Sequence, residues 1–384
     1  MTDDRRRARR VRASAIVVSL LLGTTCGGLA DASEPREYRS EKHPFRLVPV
    51  GGPFDQAWGM TFLPGGRMLV TELDGNLRIL QPGERPSEPL PGLPRIESYG
   101  QGGLMDVVLD PGFATNRRLY LSHVWDAAGG KTTAIGTARL DDDRLGGFGI
   151  IFIGRAGGGS SRHFGSRLRF SEDGKLFVTI GDRGHRPNAQ DLGTHAGAIL
   201  RLNPDGTAPA DNPFVGRAGA LPEIWSYGHR NPQGLALDPA TGQLWSQEHG
   251  PRGGDEVNLI ERGRNYGWPT ITHGRNYDGT SITNETARPG MEQPKTYWVP
   301  SIAPSGLTVY RGNKFPLWNG NLFVGALRAQ LLVRLEIDGQ RVVHEERLLT
   351  DFGNRIRDVR TGPDGLIYLL LDEHNAAVWR LEPL

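Results

Sequence analysis

Cysteine is all but missing from this chain: its 384 residues hold one, Cys26. That residue falls in an N-terminal stretch, 1–32, which reads as a leader and not as part of a folded domain. Arg5, Arg6, Arg7, Arg9, Arg10 and Arg12 make a basic start, Ala13 to Leu22 a short apolar run, and Ala30-Asp31-Ala32 a small-x-small cleavage signature. The run is too short for a membrane-spanning helix, which needs ~20 apolar residues. Gly23-Thr24-Thr25 fits a lipoprotein signal at Cys26 poorly. The expectation is therefore a cleaved leader and export, to the periplasm or the medium. The arginine pairs leave the general and twin-arginine routes both open. Without the leader no cysteine remains, which excludes disulfides, thiolate nucleophiles and Cys-ligated zinc. Such an exported chain must be held by its core or by ions.

A dominant charge is missing too. Loss of residues 1–32 takes Lys and Arg from 45 to 39 and Asp and Glu from 43 to 40, so the net charge moves from +2 to −1. The basic balance belongs to the leader, and no nucleic acid is implied as a partner. Sustained helical periodicity is absent as well. One stretch, Asn258 to Arg264, is expected to make a single helical turn.

Glycine, in contrast, is abundant: 53 residues, about twice the usual ~7 % share. The surplus suits tight turns between strands. One pattern recurs: a Pro/Asp/Gly turn, then an alternating apolar strand, often ending on a polar or acidic residue. It starts at Leu63, Asp110, Ser171, Asp238, Pro316 and Gly362. Asp-Gly pairs at Asp74, Asp173, Asp205, Asp338 and Asp364 fit hairpin turns. Repeats of this kind mark a β-propeller. The expectation is an all-β, six-bladed β-propeller of four-stranded antiparallel sheets over 44–384, after a flexible segment, 33–43. Phe45 to Val50 is the candidate strand that closes the ring. The long interval between the fourth and fifth copies reads as an insertion at one face.

The stretch Trp225 to Pro269 is too rich in Gly and polar residues for scaffolding alone. It holds GHRNP, with His229, Arg230 and Asn231, and EHGPRGGDE, from Glu248 to Glu256. A strand-like run between the two clusters would put both at one end of a sheet. His163 is a further candidate general base by residue type. His229 and His249 compete with it, and the sequence does not choose among the three. Asp182, at a strand end, would orient and polarise a histidine or merely satisfy a turn. Arg355 and Arg357 alternate on one strand and so share a face; two guanidiniums there suit a polyanion or a set of carboxylates, or a solvated edge. Arg328 ends the preceding repeat strand and would join them. The acidic pair Asp255-Glu256 is a candidate for Ca²⁺ or a surface turn.

At these residues the chain resembles the soluble pyrroloquinoline quinone (PQQ)-dependent glucose/sorbosone dehydrogenases, in particular the aldose sugar dehydrogenases. The motifs are GQGGLMDVVLDPGF, HFGSRLRF, DGKLFVTIGDRG, AQDLGTHAGAILRLNPDG, GHRNPQGLA, QEHGPRGGDEVNLI, NYGWP and GNRIRDV, spread over Phe45 to Leu384. The resemblance implies PQQ over the central channel of the propeller. It implies His163 as the base that takes the proton of the anomeric hydroxyl while the C1 hydride passes to the quinone, with Asp182 in support. Arg230 would stabilise the reduced quinone oxygen and, with Asn231, bind PQQ. Gln101 and Tyr277 would border cofactor and substrate, and Arg328, Arg355 and Arg357 would hold the PQQ carboxylates. The carbonyls of Gly250 and Pro251 would bind a catalytic Ca²⁺, and Glu256 with the backbone of Tyr266 a structural one. An aldose substrate and an external electron acceptor, a quinone or a cytochrome, follow as partners, and a homodimer is compatible.

Three positions depart from the glucose-dehydrogenase branch: Arg328 replaces Lys, Ser301 replaces Thr and Val299 replaces Trp. The last removes an aromatic wall, so a broad aldose range is expected. Two other readings of a propeller stay in view. A Ca²⁺-dependent lactonase or other hydrolase needs inward carboxylates as metal ligands. A non-enzymatic binder of sugars or of a protein needs neither His163 nor the arginines.

Overall fold

The computed structural model describes residues 34–155 and 160–384. The expected leader and Cys26 lie outside the described residues. Among these, no helix is long and apolar enough to cross a membrane.

Short apolar runs bounded by Gly and Asp turns form strands, and the strands make six antiparallel sheets in chain order. Blade one is Ala57–Phe62, Met68–Glu72 and Leu77–Leu80. Blade two is Leu104–Leu109, Arg118–Ala127, Gly130–Asp141 and Arg144–Ile153. Blade three is Leu168–Phe170, Leu176–Ile180, Ala198–Leu202 and Ile224–Tyr227. Blade four is Pro232–Leu237, Leu244–Glu248, Asp255–Ile260 and Thr296–Trp298, and blade five Pro304–Val309, Leu322–Ala326, Leu332–Asp338 and Arg341–Leu348. Blade six joins Ile356–Thr361, Ile367–Leu371 and Ala376–Pro383 to the N-terminal strands Pro44–Phe54 and Arg36–Arg39. First strands of successive blades lie side by side, and the sixth meets the first. The result is a six-bladed β-propeller.

The repeat seen in the sequence is the first hairpin of each blade. Its turn joins the first strand to the second, as in residues 63–67, 171–175 and 362–366. Phe45–Val50 does close the ring: Phe45 pairs with Pro383 and Phe54 with Ala376.

Three expectations change. Four blades have four strands, but the first has three and the sixth five, because the N-terminal strands are added to the last sheet. The segment 33–43, expected to be flexible, contributes the strand Arg36–Arg39, paired with 44–47. Its Glu41 accepts from Arg334 at 3.2 Å and from His344 at 2.7 Å. Asn258 to Arg264 is not a helical turn, since Asn258, Leu259 and Ile260 finish a strand paired with 244–248. Burial of Val257 through Ile260 on both faces overrides the weak helical signal.

Antiparallel hairpins place the starts of the first strands and the ends of the second strands at the same end of the ring. Glu72, Asp182, Glu248, Arg328 and Asp372 all lie at or within two residues of a second strand's end. This end carries the candidate site.

The axis of the ring is tied by buried charges. Arg167 Nη1 lies 3.3 Å from Asp106 and 3.1 Å from Asp358. Arg360 reaches the same two carboxylates, each at 2.8 Å. Asp106 also accepts from Leu168 N, Asp358 from Met60 N, and Arg167 Nε donates to Gln233 O. Blades one, two, three, four and six meet through these four side chains. Removal of one member leaves a buried charge without its partner, which costs about 3–5 kcal/mol. Asp358→Ala should lower the unfolding free energy by that order in urea titrations; a loss below about 1 kcal/mol would contradict a structural role.

Candidate functional site

His163 sits in the loop before blade three with φ +58°, a left-handed conformation rare for a residue with a side chain. The loop can take it because Gly181 lies beneath: a Cβ there would be 2.4 Å from the His163 carbonyl oxygen. Gln101 Oε1 accepts from His163 N at 2.9 Å. Arg183, also left-handed, donates to the carbonyls of Ser160 and Arg162 and lies over the Phe164 ring. Strain in such a loop is held by its surroundings.

The imidazole Nδ1 is 2.6 Å from Asp182 Oδ1. That carboxylate also accepts from Gly184 N at 2.7 Å and from Trp268 Nε1 at 2.8 Å. Burial favours its neutral form, but bonds from His163 and Trp268 and the Arg230 charge win and hold Asp182 below the usual carboxylate range. An ionised Asp182 fixes the proton on Nδ1. Nε2 makes no hydrogen bond among the described residues, and His163 lines the cleft. Burial, reinforced by Arg230 and Arg162, pushes the imidazole pKa below its ordinary value.

The other two histidines are spent elsewhere. His229 is fully buried between Ser226 and Glu248, at 2.9 Å from each. His249 bonds the Pro304 carbonyl at 2.7 Å, and burial with the charges of Arg230 and Arg357 pushes it down to about 3.

The cleft has two hollows of about 340 Å³ each that share Gln101, His249 and Ala303. One holds His163, Arg230, Gly250, Pro251, Arg252, Tyr277 and Arg328. The other holds Trp58, Asn231, Gln233, Arg355, Arg357 and Asp372. Every residue expected to touch the cofactor therefore meets here. Asp182 stands behind His163, and Tyr277 is a rim residue, 69 % exposed.

Charge in the cleft is lopsided. Arg355 and Arg357 do share a face, and both turn to one carboxylate, Asp372, at 2.6 and 3.0 Å. Arg252 and Arg328 make no side-chain hydrogen bond or ion pair among the described residues. Among the described residues Asp372 is the sole carboxylate lining either hollow, so the cleft has an excess of cations. Asn231 Oδ1 accepts from Gly165 N and Gln233 Nε2, leaving its NH₂ for a ligand. Among the described residues the hollow at His163 is lined by no carboxylate. That lining does not suit the hydrolase reading.

The expected metal residues divide. The Gly250 carbonyl faces one cation: Arg230 Nη1 donates to it at 2.7 Å, and to His249 O at 3.0 Å. Its loop is held by Asp255, whose carboxylate accepts from Gly250 N, Ser301 Oγ, Ile302 N and Ala303 N. Asp255 and Glu256 are strand neighbours and point to opposite faces, so they do not act as one acidic pair. Glu256 instead lies opposite Glu248 on the adjacent strand. Burial and the Glu248 charge push Glu256 up to about 8. Both line a small hollow behind Gly250. The Tyr266 ring stacks on His229 at 4.7 Å, outside that hollow.

Four residues with no role assigned from the sequence also shape the site: Asp372, Trp268, Gln233 and Glu248. Asp372 had a signal, because it ends a repeat strand as Asp182 does. Trp268 lies in the NYGWP motif, but nothing there names its partner: it reaches Asp182 from the insertion after blade four's third strand, 86 residues away.

A model of the family described as Glucose / Sorbosone dehydrogenase matches residues 54–380. The chain is 45% identical over 335 residues to the aldose sugar dehydrogenase YliI of Escherichia coli (strain K12), covering 86% of this chain and 90% of that one. It is similar to the apo-form crystal structure of the soluble aldose sugar dehydrogenase from Escherichia coli, with TM-score 0.85, 43% identity, and coverage of 88% of this chain and 100% of that chain. The PQQ-bound aldose sugar dehydrogenase of Streptomyces coelicolor gives TM-score 0.73 and 25% identity, with coverage of 91% and 98%. A match along nearly the whole propeller means that the chain belongs to the glucose/sorbosone dehydrogenase family.

Proposed function

We propose that the chain oxidises the C1 hydroxyl of aldose sugars to the lactone, using PQQ and Ca²⁺, and passes the electrons to an external quinone or cytochrome. The observation that carries this reading is His163, oriented by an ionised Asp182 and open at Nε2 to a cleft with surplus guanidinium groups. A polycarboxylate fits that surplus. Arg355 and Arg357 carry two charges against one on Asp372, and Arg328 is unpaired among the described residues. These three would bind the carboxylates, with Arg230, Asn231, Gln101 and Tyr277 around the ring system. PQQ, when bound, supplies the two-electron acceptor for the sugar's hydride.

The protein's own work is proton transfer and positioning. Nε2 of neutral His163 takes the hydroxyl proton of C1, and Asp182 stabilises the imidazolium that results. Trp268 keeps the carboxylate from turning away. A Ca²⁺ ion at the carbonyls of Gly250 and Pro251 would supply Lewis acidity. Arg230 now donates to the Gly250 carbonyl, so the ion would compete with it and free the guanidinium for the cofactor. Glu256, forced by Glu248 to seek a proton or a cation, would hold the second ion with the Tyr266 backbone. Val299 is 61 % exposed and lines neither hollow, which favours a broad aldose range. Export by the leader would place this activity in the periplasm or the medium.

Purified protein given PQQ and Ca²⁺ should reduce an artificial dye in the presence of an aldose, and a chelator should abolish the reaction. His163→Ala should lower the rate by roughly 10²–10⁴ while PQQ binding, followed by equilibrium dialysis, largely survives. Full activity of that variant would remove His163 from the role of base.

The pH profile is an independent check. The base is active when neutral, and burial lowers its pKa. Activity should therefore hold as the pH falls through ~6.5 and decline only in more acidic solution. Asp182→Asn removes a group that raises this pKa, so the acidic limb should move further down while kcat drops. A limb above ~6.5 in the unaltered protein would contradict the geometry.

A further inference from the structure

The rear end of the channel, opposite the cleft, holds a second cavity. Its volume is about 420 Å³, and it is bounded by the ends of the first strands of blades one, three, four, five and six. Three arginines line it: Arg169, Arg311 and Arg360. Two of them are neutralised. Arg311 forms a two-pronged pair with Asp238 at 2.9 and 2.7 Å. Arg360 binds Asp106 and Asp358.

Arg169 differs. Its side chain makes no hydrogen bond or ion pair among the described residues, and its Nε is buried without a partner. The carboxylate nearest in influence, Asp106, already serves Arg167 and Arg360. Burial and the Arg360 charge push the Arg169 guanidinium down to about 10, so it stays a cation at neutral pH. The group on the axis thus comprises three cations, Arg167, Arg169 and Arg360, against two anions, Asp106 and Asp358. One positive charge is uncompensated. Two hydroxyls, Thr308 and Thr361, line the same cavity 3.2 Å apart. Thr308 also reaches the Val309 carbonyl at 3.5 Å, and when it donates to Thr361 the Thr361 proton is free to donate outward.

We propose that this rear cavity binds a small monovalent inorganic anion of the halide class, held by Arg169 with help from Arg360 and a threonine hydroxyl. A single negative charge balances the excess, whereas a dianion would overshoot it in a place where net charge is costly. The anion joins blade three to blade six across the axis, opposite the face that does the chemistry. It binds the folded ring and not the unfolded chain, so it stabilises the protein by mass action.

Bromide is the probe. Crystals soaked in sodium bromide should show an anomalous peak within hydrogen-bond reach of the Arg169 guanidinium, absent in Arg169→Gln crystals. Bromide replacing gluconate at constant ionic strength should raise the Tm by a few degrees in a saturable way, and Arg169→Gln should lose this rise. Arg169→Lys, which keeps the charge, should keep part of it and serves if Arg169→Gln does not fold. No peak at Arg169, or a peak with the same Tm rise in the Gln variant, marks an adventitious ion only and overturns the proposal. Saturable stabilisation by sulfate that exceeds bromide and depends on Arg169 would overturn the monovalent assignment.

Discussion

Four charges buried on the axis, Arg167 and Arg360 with Asp106 and Asp358, tie the first strands together, and the cleft is built on their neighbours. Arg357, beside Asp358, faces the cleft. Met105, beside Asp106, lies in its floor. Gln233, whose carbonyl accepts from Arg167, lines it as well, and the Arg167 guanidinium lies 4.3 Å from the centre of the Trp58 ring. Alternation along a strand explains the arrangement: one residue turns into the axis and the next addresses the ligand. A propeller has no single continuous core, since its apolar side chains pack in layers between neighbouring blades. The axis is where the blades must agree on one geometry. Buried ion pairs are poor sources of net stability but severe when broken, and severity is what keeps a floor rigid.

The site itself rests on a second rule of the fold, that second strands end where first strands begin. This brings Asp182, Glu248, Arg328 and Asp372 from four different blades to one face. Two of these carboxylates do not touch the ligand space as free acids. Asp182 is saturated by donors and acts through His163, and Glu248 secures His229 and the Arg230 backbone. The third, Asp372, is outweighed by Arg355 and Arg357. The cleft is left cationic, with one neutral imidazole facing it. That is a proper environment for a polycarboxylate quinone and a sugar hydroxyl.

Much of this was legible in the residues. The sixfold turn-and-strand pattern is the first hairpin of each blade, so blade number and ring closure at Phe45–Val50 followed from it. The alternation of Arg355 and Arg357 placed both on one face. Tertiary context decided what local pattern could not. His163, His229 and His249 are equal as residue types, and only burial and partners separate them. Asn258 to Ile260 carries a helical signal that two buried faces override. The N-terminal Arg36–Arg39 looked free because its partner strand begins at Pro44, after only four intervening residues, in a part of the sequence with no repeat. The long interval between the fourth and fifth repeats announces the insertion, but not that its Trp268 reaches Asp182.

The central claim is that one cleft holds PQQ and that an aldose delivers its electrons to it there. The absorption spectrum of PQQ-loaded protein tests it most directly, without dye or acceptor. Addition of an aldose under anaerobic conditions should bleach the quinone band in wild type within the mixing time, and slowly in His163→Ala at equal cofactor loading. A fully loaded protein whose quinone spectrum no aldose changes would contradict the account.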